Sequence, residues 1–235
     1  MRRRIAAAAL AASALAAGCG SAPATVSPPA LLADARQVVN RTSAVHFDLT
    51  SENIPPAGTT LQGGQGDLAR PDQLRGTFQV AVDGLPASVK LIEVGGKFYA
   101  ELPFAGRYQV TDPAKFGLGD PAQLLNPDTG VSRLLTGLRD PKSSGEHRVA
   151  GEVLEEVSGT VPGTDVSGLL PDVDTTKAVV LVLGIDPTSH QVRQVEVTGP
   201  FASDTTESTY IVTLTNYGER VDVTAPSTGA PPASS

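Results

Sequence analysis

The chain reads as an α+β protein in which a few helices pack on one face of a large antiparallel sheet. Three observations point there. Apolar and polar residues alternate with period two through most of the sequence, most clearly where Leu74, Phe78, Val80 and Val82 face one way and Arg75, Thr77, Gln79 and Ala81 the other. The alternating runs meet at two-residue turn signals, Asp83-Gly84 and Gly95-Gly96, which suit tight hairpins. Helical stripes of apolar residues interrupt these runs, chiefly at Leu31, Ala35, Val38 and Val39 and at Val131, Leu134, Leu135 and Leu138. With 24 Gly, 19 Pro, one Met and no Trp among 235 residues, the composition agrees with a β-rich fold of many turns.

Taken in order, the first stripe predicts an amphipathic helix over 30–40, and the period then changes to two. Val45, Phe47 and Leu49 alternate with His46, Asp48 and Thr50 in a first strand. The turn Pro55-Pro56-Ala57-Gly58 leads to a strand over 59–68, weakened by its glycines. Strands follow over 74–82, 87–94 and 97–102, an antiparallel meander. Residues 104–127 are irregular, with short helical segments at 113–116 and 121–125. The second stripe predicts a helix over 131–138, capped by Asp128 or Thr129 and closed by Pro141. A strand over 145–160, a short helix over 164–170 and strands over 177–185, 191–198 and 208–216 complete the pattern, with a last short strand over 219–224. A sheet of this length twists, coils and closes part-way towards a barrel.

The N-terminus carries a different signal. Arg2, Arg3 and Arg4 precede an apolar run from Ile5 to Ala17, followed by Gly18 and the only cysteine, Cys19. A positive start, a short apolar core and small residues before a cut make a secretory signal peptide, and the run falls short of the roughly 20 residues a spanning helix needs. Ala17-Gly18-Cys19 resembles a bacterial lipobox, in which the Cys19 thiol takes a diacylglyceryl group and the cut falls between Gly18 and Cys19. Ala16 stands where Leu is usual. The alternative is an ordinary signal peptide with an incidental cysteine. The predicted organisation is therefore signal peptide 1–18, lipidated linker 19–29, folded domain 30–225 and disordered tail 226–235. The linker (GSAPATVSPP, 20–29) and the tail (PSTGAPPASS) are both small, polar and Pro-rich.

Cleavage removes three arginines and moves the formal charge from −7 to −10. Such a chain is a poor partner for nucleic acid, which selects clustered Lys and Arg, and is not drawn to an anionic bilayer except through a lipid anchor. An acylated Cys19 leaves no thiol for a disulfide or a metal site.

The inventory for catalysis is thin. His46, His147 and His190 are scattered, and HExxH, GxSxG, GxxxxGK[ST] and SxxK motifs are absent. Asp112-Pro113, Asp120-Pro121, Asp140-Pro141 and Asp186-Pro187 read as turns. Asp165, Asp172 and Asp174 lack the loop spacing of a calcium site. We expect no enzyme, no metal and no cofactor.

The stretch QLLNPDTGVSRLL (123–135), with the lipobox, KFYAEL at Lys97 and NYGERVDVTAP at Asn216, resembles the LppX/LprA/LprF/LprG family of mycobacterial lipoproteins, and most of all its LprG branch. Tyr217 stands where that branch tends to have Trp. The resemblance implies a strongly curved antiparallel half-barrel of LolA/LolB-like architecture, with helices across its concave side and a large apolar cavity between. It further implies a monomer, anchored on the outer face of the plasma membrane, that carries acylated lipids or glycolipids of triacylglycerol or lipoglycan class into the envelope. The implied partner is an efflux-type transporter of the major facilitator class. A non-catalytic scaffold assisting an exporter is the alternative.

The residues supply a physical account beside the resemblance. With so few aromatics, Val, Ala and Leu leave volume that larger side chains would fill, and a cavity so lined stays open to an apolar ligand. The predicted lining is Leu74, Phe78, Val80, Val82, Val89, Leu91, Phe98, Leu135, Val195, Val197, Val212 and Leu214. From periodicity alone these residues form either that lining or a closed core; the resemblance favours the lining. Each buried methylene is worth about 0.8 kcal/mol against water, so acyl chains need a shielded passage between membranes.

Overall fold

The computed structural model describes residues 27–56, 58–103, 105–170, 172–201, 203 and 205–228. The predicted signal peptide (1–18), Cys19, residues 20–26 of the predicted linker and residues 229–235 lie outside them. The chain folds as α1 (Pro28–Arg41), β1 (Ala44–Glu52), β2 (Thr59–Ala69), β3 (Gln73–Val82), β4 (Leu85–Val94), β5 (Lys97–Glu101) and β6 (Gln109–Val110). Two 3-10 turns, η1 (Pro113–Phe116) and η2 (Pro121–Leu125), and α2 (Val131–Gly137) follow. Then come β7 (Arg139–Val149), β8 (Glu152–Pro162), α3 (Gly163–Val166), β9 (Ala178–Ile185), β10 (Val192–Gly199) and β11 (Ser208–Thr215).

Helix α1 takes in Pro28 and Pro29, which composition had placed in the linker. Proline suits the first helical positions, where its missing N–H has no intrahelical partner. Leu31, Leu32, Ala35 and Val39 are its buried face. Its C-terminal carbonyls are held by Arg70, whose Nε donates to Thr42 O at 2.8 Å and Nη2 to Val39 O at 3.1 Å.

The strands form one 11-stranded sheet in the order β6-β5-β4-β3-β2-β1-β11-β10-β9-β8-β7. Two meanders, β1–β6 and β7–β11, are thus joined by antiparallel pairing of β1 with β11, which sets Phe47 opposite Leu214 and Leu49 opposite Val212. β6 and β7 are the two outer edges, so the chain between them, residues 111–138, has to cross from one margin of the sheet to the other. It crosses on the concave side and becomes a strap of η1, η2 and α2. The sheet stays open, a half-barrel closed by its own connection.

Three elements depart from the periodicity. β7 begins at Arg139 and contains Pro141, because an edge strand tolerates a residue without an N–H. It joins β8 at Ala150-Gly151, with φ of 48° and 91°, a hairpin turn that the sequence concealed by placing alanine in the left-handed region. The segment 219–224 is not a strand. The β7 edge is blunted by charges and by register shifts at Arg139/Lys142 and Ser143/Gly145.

Candidate functional site

The concave face of the central strands is built around Phe78. Across from it on β2 stands Gly64, where an added Cβ would lie 2.7 Å from Phe78 Cδ1; at Gly76 it would lie 3.1 Å from Phe78 Cε2. These glycines therefore seat an aromatic ring instead of weakening the strand. The Phe47 ring packs beside it, with centroids 5.7 Å apart.

Below the strap lies a cavity of about 90 Å3. Its sheet wall is Phe47 and Leu49 of β1, Leu61 and Leu68 of β2, Phe78 of β3, Val195 and Val197 of β10 and Val212 of β11. Its cover is Leu118, Pro121, Leu124 and Leu134 of the strap, with Val166, Leu169 and Leu170 of α3 and the turn after it. Every lining residue is apolar. The volume lies below the roughly 300 Å3 at which ligand sites begin. The large cavity implied by the family resemblance is therefore nearly closed in this structure.

The cover is held by polar ties at its margins. Gly119 N donates to Leu169 O at 3.0 Å and Asp120 N to Gly168 O at 3.3 Å, a contact open only to glycine, since a Cβ on Gly119 would lie 2.0 Å from Gly168 O. The Arg133 guanidinium donates to Asp165 Oδ1 from Nε at 3.1 Å and Nη2 at 2.9 Å, tying α2 to α3. Ser132 Oγ donates to Asn40 Oδ1 at 2.8 Å, tying α2 to α1. The LNPDTG stretch is the corner between η2 and α2. Asn126 Nδ2 and Thr129 Oγ1 both donate to Gln123 Oε1, at 2.8 and 3.1 Å, and Asp128 N donates to Asn126 Oδ1 at 2.9 Å. Gly130 closes the corner, because a Cβ there would lie 2.1 Å from Leu124 O.

Of the predicted lining, Phe78, Val195, Val197 and Val212 reach the cavity wall. Leu74, Val80, Val89, Leu91, Phe98, Leu135 and Leu214 are buried but sit in the surrounding apolar cluster, where closed-core packing takes over. Val82 is 45 % exposed. It pairs with Thr59 and Leu85 at the hairpin end of β3, where the alternation outruns the cover. Cys19 lies outside the described residues. Phe47 and Leu49 were visible as an inward alternation; Leu118, Pro121 and Leu124 sit in a segment without period, and nothing in the sequence aimed them inward.

Two ionisable features lie away from the cavity wall. His46 is half-buried on the polar side of β1, its Nδ1 2.7 Å from Asp67 Oδ1, and Arg75 Nη2 lies 2.9 Å from Asp67 Oδ2. Glu93, at the inward end of β4 opposite Leu74 and Phe98, is 7 % exposed, and its Oε2 has no hydrogen-bond partner. Burial pushes its carboxyl up to about 8, reinforced by the hydrogen bond and charge of Asp120 and by the charge of Asp72. Among the described residues no three His, Cys, Asp or Glu gather as metal ligands, and no helix is long and apolar enough to cross a membrane.

An open antiparallel half-barrel with an apolar cavity beneath its own connecting strap is a fold of the LolA-like class. The chain belongs to the LppX_LprAFG lipoprotein family, whose sequence pattern matches residues 27–223. It is 30% identical over 219 residues to the lipoarabinomannan carrier protein LprG of Mycobacterium tuberculosis, covering 89% of each chain. It is 25% identical over 209 residues to the lipoprotein LprA of the same organism, covering 83% of this chain and 80% of LprA. Among solved structures, LprF of Mycobacterium bovis superposes with a TM-score of 0.72 at 18% identity, covering 85% of this chain and 96% of LprF. LppX of M. tuberculosis gives 0.58 at 19%, covering 84% and 100%. At these identities the two structures speak for the fold.

Proposed function

We propose that this protein is an exported lipoprotein, anchored through Cys19 to the outer face of the plasma membrane, that shields the acyl chains of lipids or glycolipids and carries them into the envelope. The observation that carries this reading is the wholly apolar cavity closed by a strap whose ties are polar and marginal. The LprG relatives, named as lipoarabinomannan carriers, support a lipoglycan class of cargo, and a triacylglycerol is the other class we propose. Moving a chain from bilayer to cavity exchanges one apolar medium for another, so the transfer needs little driving force once water is excluded. Because about 90 Å3 holds only a few methylenes, loading requires the strap to lift and the cavity to widen. Handover requires contact with a membrane or an exporter, and a transporter of the major facilitator class is the partner we propose.

The small closed volume favours one other reading, a non-catalytic envelope scaffold that assists an exporter through its surface. Native mass spectrometry of the purified Cys19→Ser protein separates the two. The carrier reading predicts near-stoichiometric acyl lipid bound to the chain; lipid-free protein, together with failure to take up lipid from vesicles, would favour the scaffold. The same substitution tests the anchor: Cys19→Ser is expected to move the protein from the membrane to the soluble fraction, and retention equal to wild type would remove the lipobox assignment.

A further inference from the structure

We infer that the strap is latched to the sheet by a shared proton, the Glu93 carboxyl on β4 donating to the Asp120 carboxylate at the start of η2, so that alkali loosens the cavity cover and acid holds it down. The inference concerns regulation of the cavity proposed above as the lipid site, and in that sense rests on the proposed function.

The geometry is that of two acids in one small space. Glu93 is buried, its Oε2 lacks any partner, and its cross-strand neighbours Leu74 and Phe98 are apolar. Asp120 is already committed as an acceptor. Its Oδ1 takes Ala122 N at 3.0 Å and its Oδ2 takes Gln123 Nε2 at 2.9 Å, which caps η2. With both Asp120 oxygens accepting, we assign the hydrogen between the two carboxyls to Glu93, whose burial favours the neutral form. The third acid facing the pair is Asp72 of the β2–β3 turn, whose Oδ2 accepts from Gly96 N at 3.0 Å. Among the described residues no Lys, Arg or His acts on Glu93. An ionised Glu93 would thus face two carboxylates from a site with little water, a repulsion that displacement of η2 relieves. Displacing η2 moves the cavity cover, because Pro121 and Leu124 follow Asp120 directly.

The sign follows from where the proton is held. With the strap down, the Glu93 carboxyl sits at about 8; with the strap lifted it returns towards its ordinary value of 4.5. The latch is fully present below that ordinary value, weakens as pH rises above it, and is lost through the closed-state value. Over that window opening releases one proton, so the open fraction gains up to about tenfold per pH unit. Neutral conditions leave the strap held but primed, and access to the cavity grows on the alkaline side.

The test is hydrogen exchange by mass spectrometry on the 118–126 segment, comparing wild type with Glu93→Gln at matched pH so that intrinsic exchange cancels. Gln keeps a neutral donor towards Asp120 and cannot ionise. The latch predicts that protection in wild type falls by tenfold or more relative to Glu93→Gln between about pH 6 and about pH 8, while β8 to β10 stay unchanged. A ratio constant with pH would overturn it. Should Glu93→Gln fail to fold, carbon-13 titration of the Glu93 carboxyl in wild type decides instead: a midpoint near 8 supports the latch, and one below 6 overturns it. Neither readout uses lipid. A pH-dependent strap in a protein that never binds acyl chains would keep the latch and remove the carrier, and a lipid-loaded protein with pH-independent strap protection would do the reverse.

Discussion

Phe78 shows how one side chain divides core from cavity. It is 1 % exposed, yet it both packs on Phe47 and forms part of the cavity wall. Its ring occupies the space left by Gly64 and Gly76. Gly64→Val should push the ring inward, costing about 1–3 kcal/mol through overpacking and reducing the acyl lipid recovered per chain. Gln79→Trp, on the exposed face, should leave both the denaturation midpoint and the recovered lipid intact. Loss of stability in Gly64→Val with undiminished lipid would place the cavity elsewhere. The inward direction of Phe78 was legible from alternation with Val80. The purpose of the glycines was not, because it depends on a ring brought alongside by strand pairing. Val82 marks the opposite limit: periodicity tells which face a residue takes, and says nothing of where the cover ends.

The strap gives the same lesson one level up. Its short helices were legible as segments at 113–116 and 121–125, but the Asp-Pro pairs that open them, read as turns, prove to be their caps, with Asp112 and Asp120 accepting from Ala114 N and Ala122 N. The direction in which they present Pro121 and Leu124 comes from the sheet order, a long-range property no local pattern encodes. The corner at LNPDTG makes a sharp prediction. Gly130→Ala would place a methyl 2.1 Å from Leu124 O and 2.3 Å from Gln123 O, whereas a Cβ at Gly168 meets nothing within 4 Å. Gly130→Ala should therefore lower the free energy of unfolding by about 1–3 kcal/mol and Gly168→Ala should be close to neutral; equal effects would contradict the packing of the corner. Leu135→Asp, with its side chain 4 % exposed, should also destabilise strongly because it buries an unpaired carboxylate. Unchanged thermal stability in that variant would place Leu135 in solvent.

At the level of the whole chain, two meanders sewn together through β1 and β11 leave their outer edges unjoined, and the connection between those edges, with α3 and the turn after it, covers the concave face. Composition and alternation were enough to reach a large antiparallel sheet with helices on one side. The family resemblance rested on QLLNPDTGVSRLL together with the lipobox, KFYAEL and NYGERVDVTAP, and in the structure a side-chain network and Gly130 fix the LNPDTG corner. The cavity itself was out of reach of local reasoning: its volume is a small remainder between packed surfaces, settled by how closely the strap lies. That lining is where the account is most exposed to test. An acyl chain bearing a terminal diazirine, loaded into the protein, irradiated and mapped by peptide mass spectrometry, should mark residues 118–124 and 166–170 together with the inward positions Phe78, Val195 and Val212. Labelling confined to the exposed tip around Val82 and Leu85, or spread over the outer face of the sheet, would contradict a carrier that holds its cargo between sheet and strap.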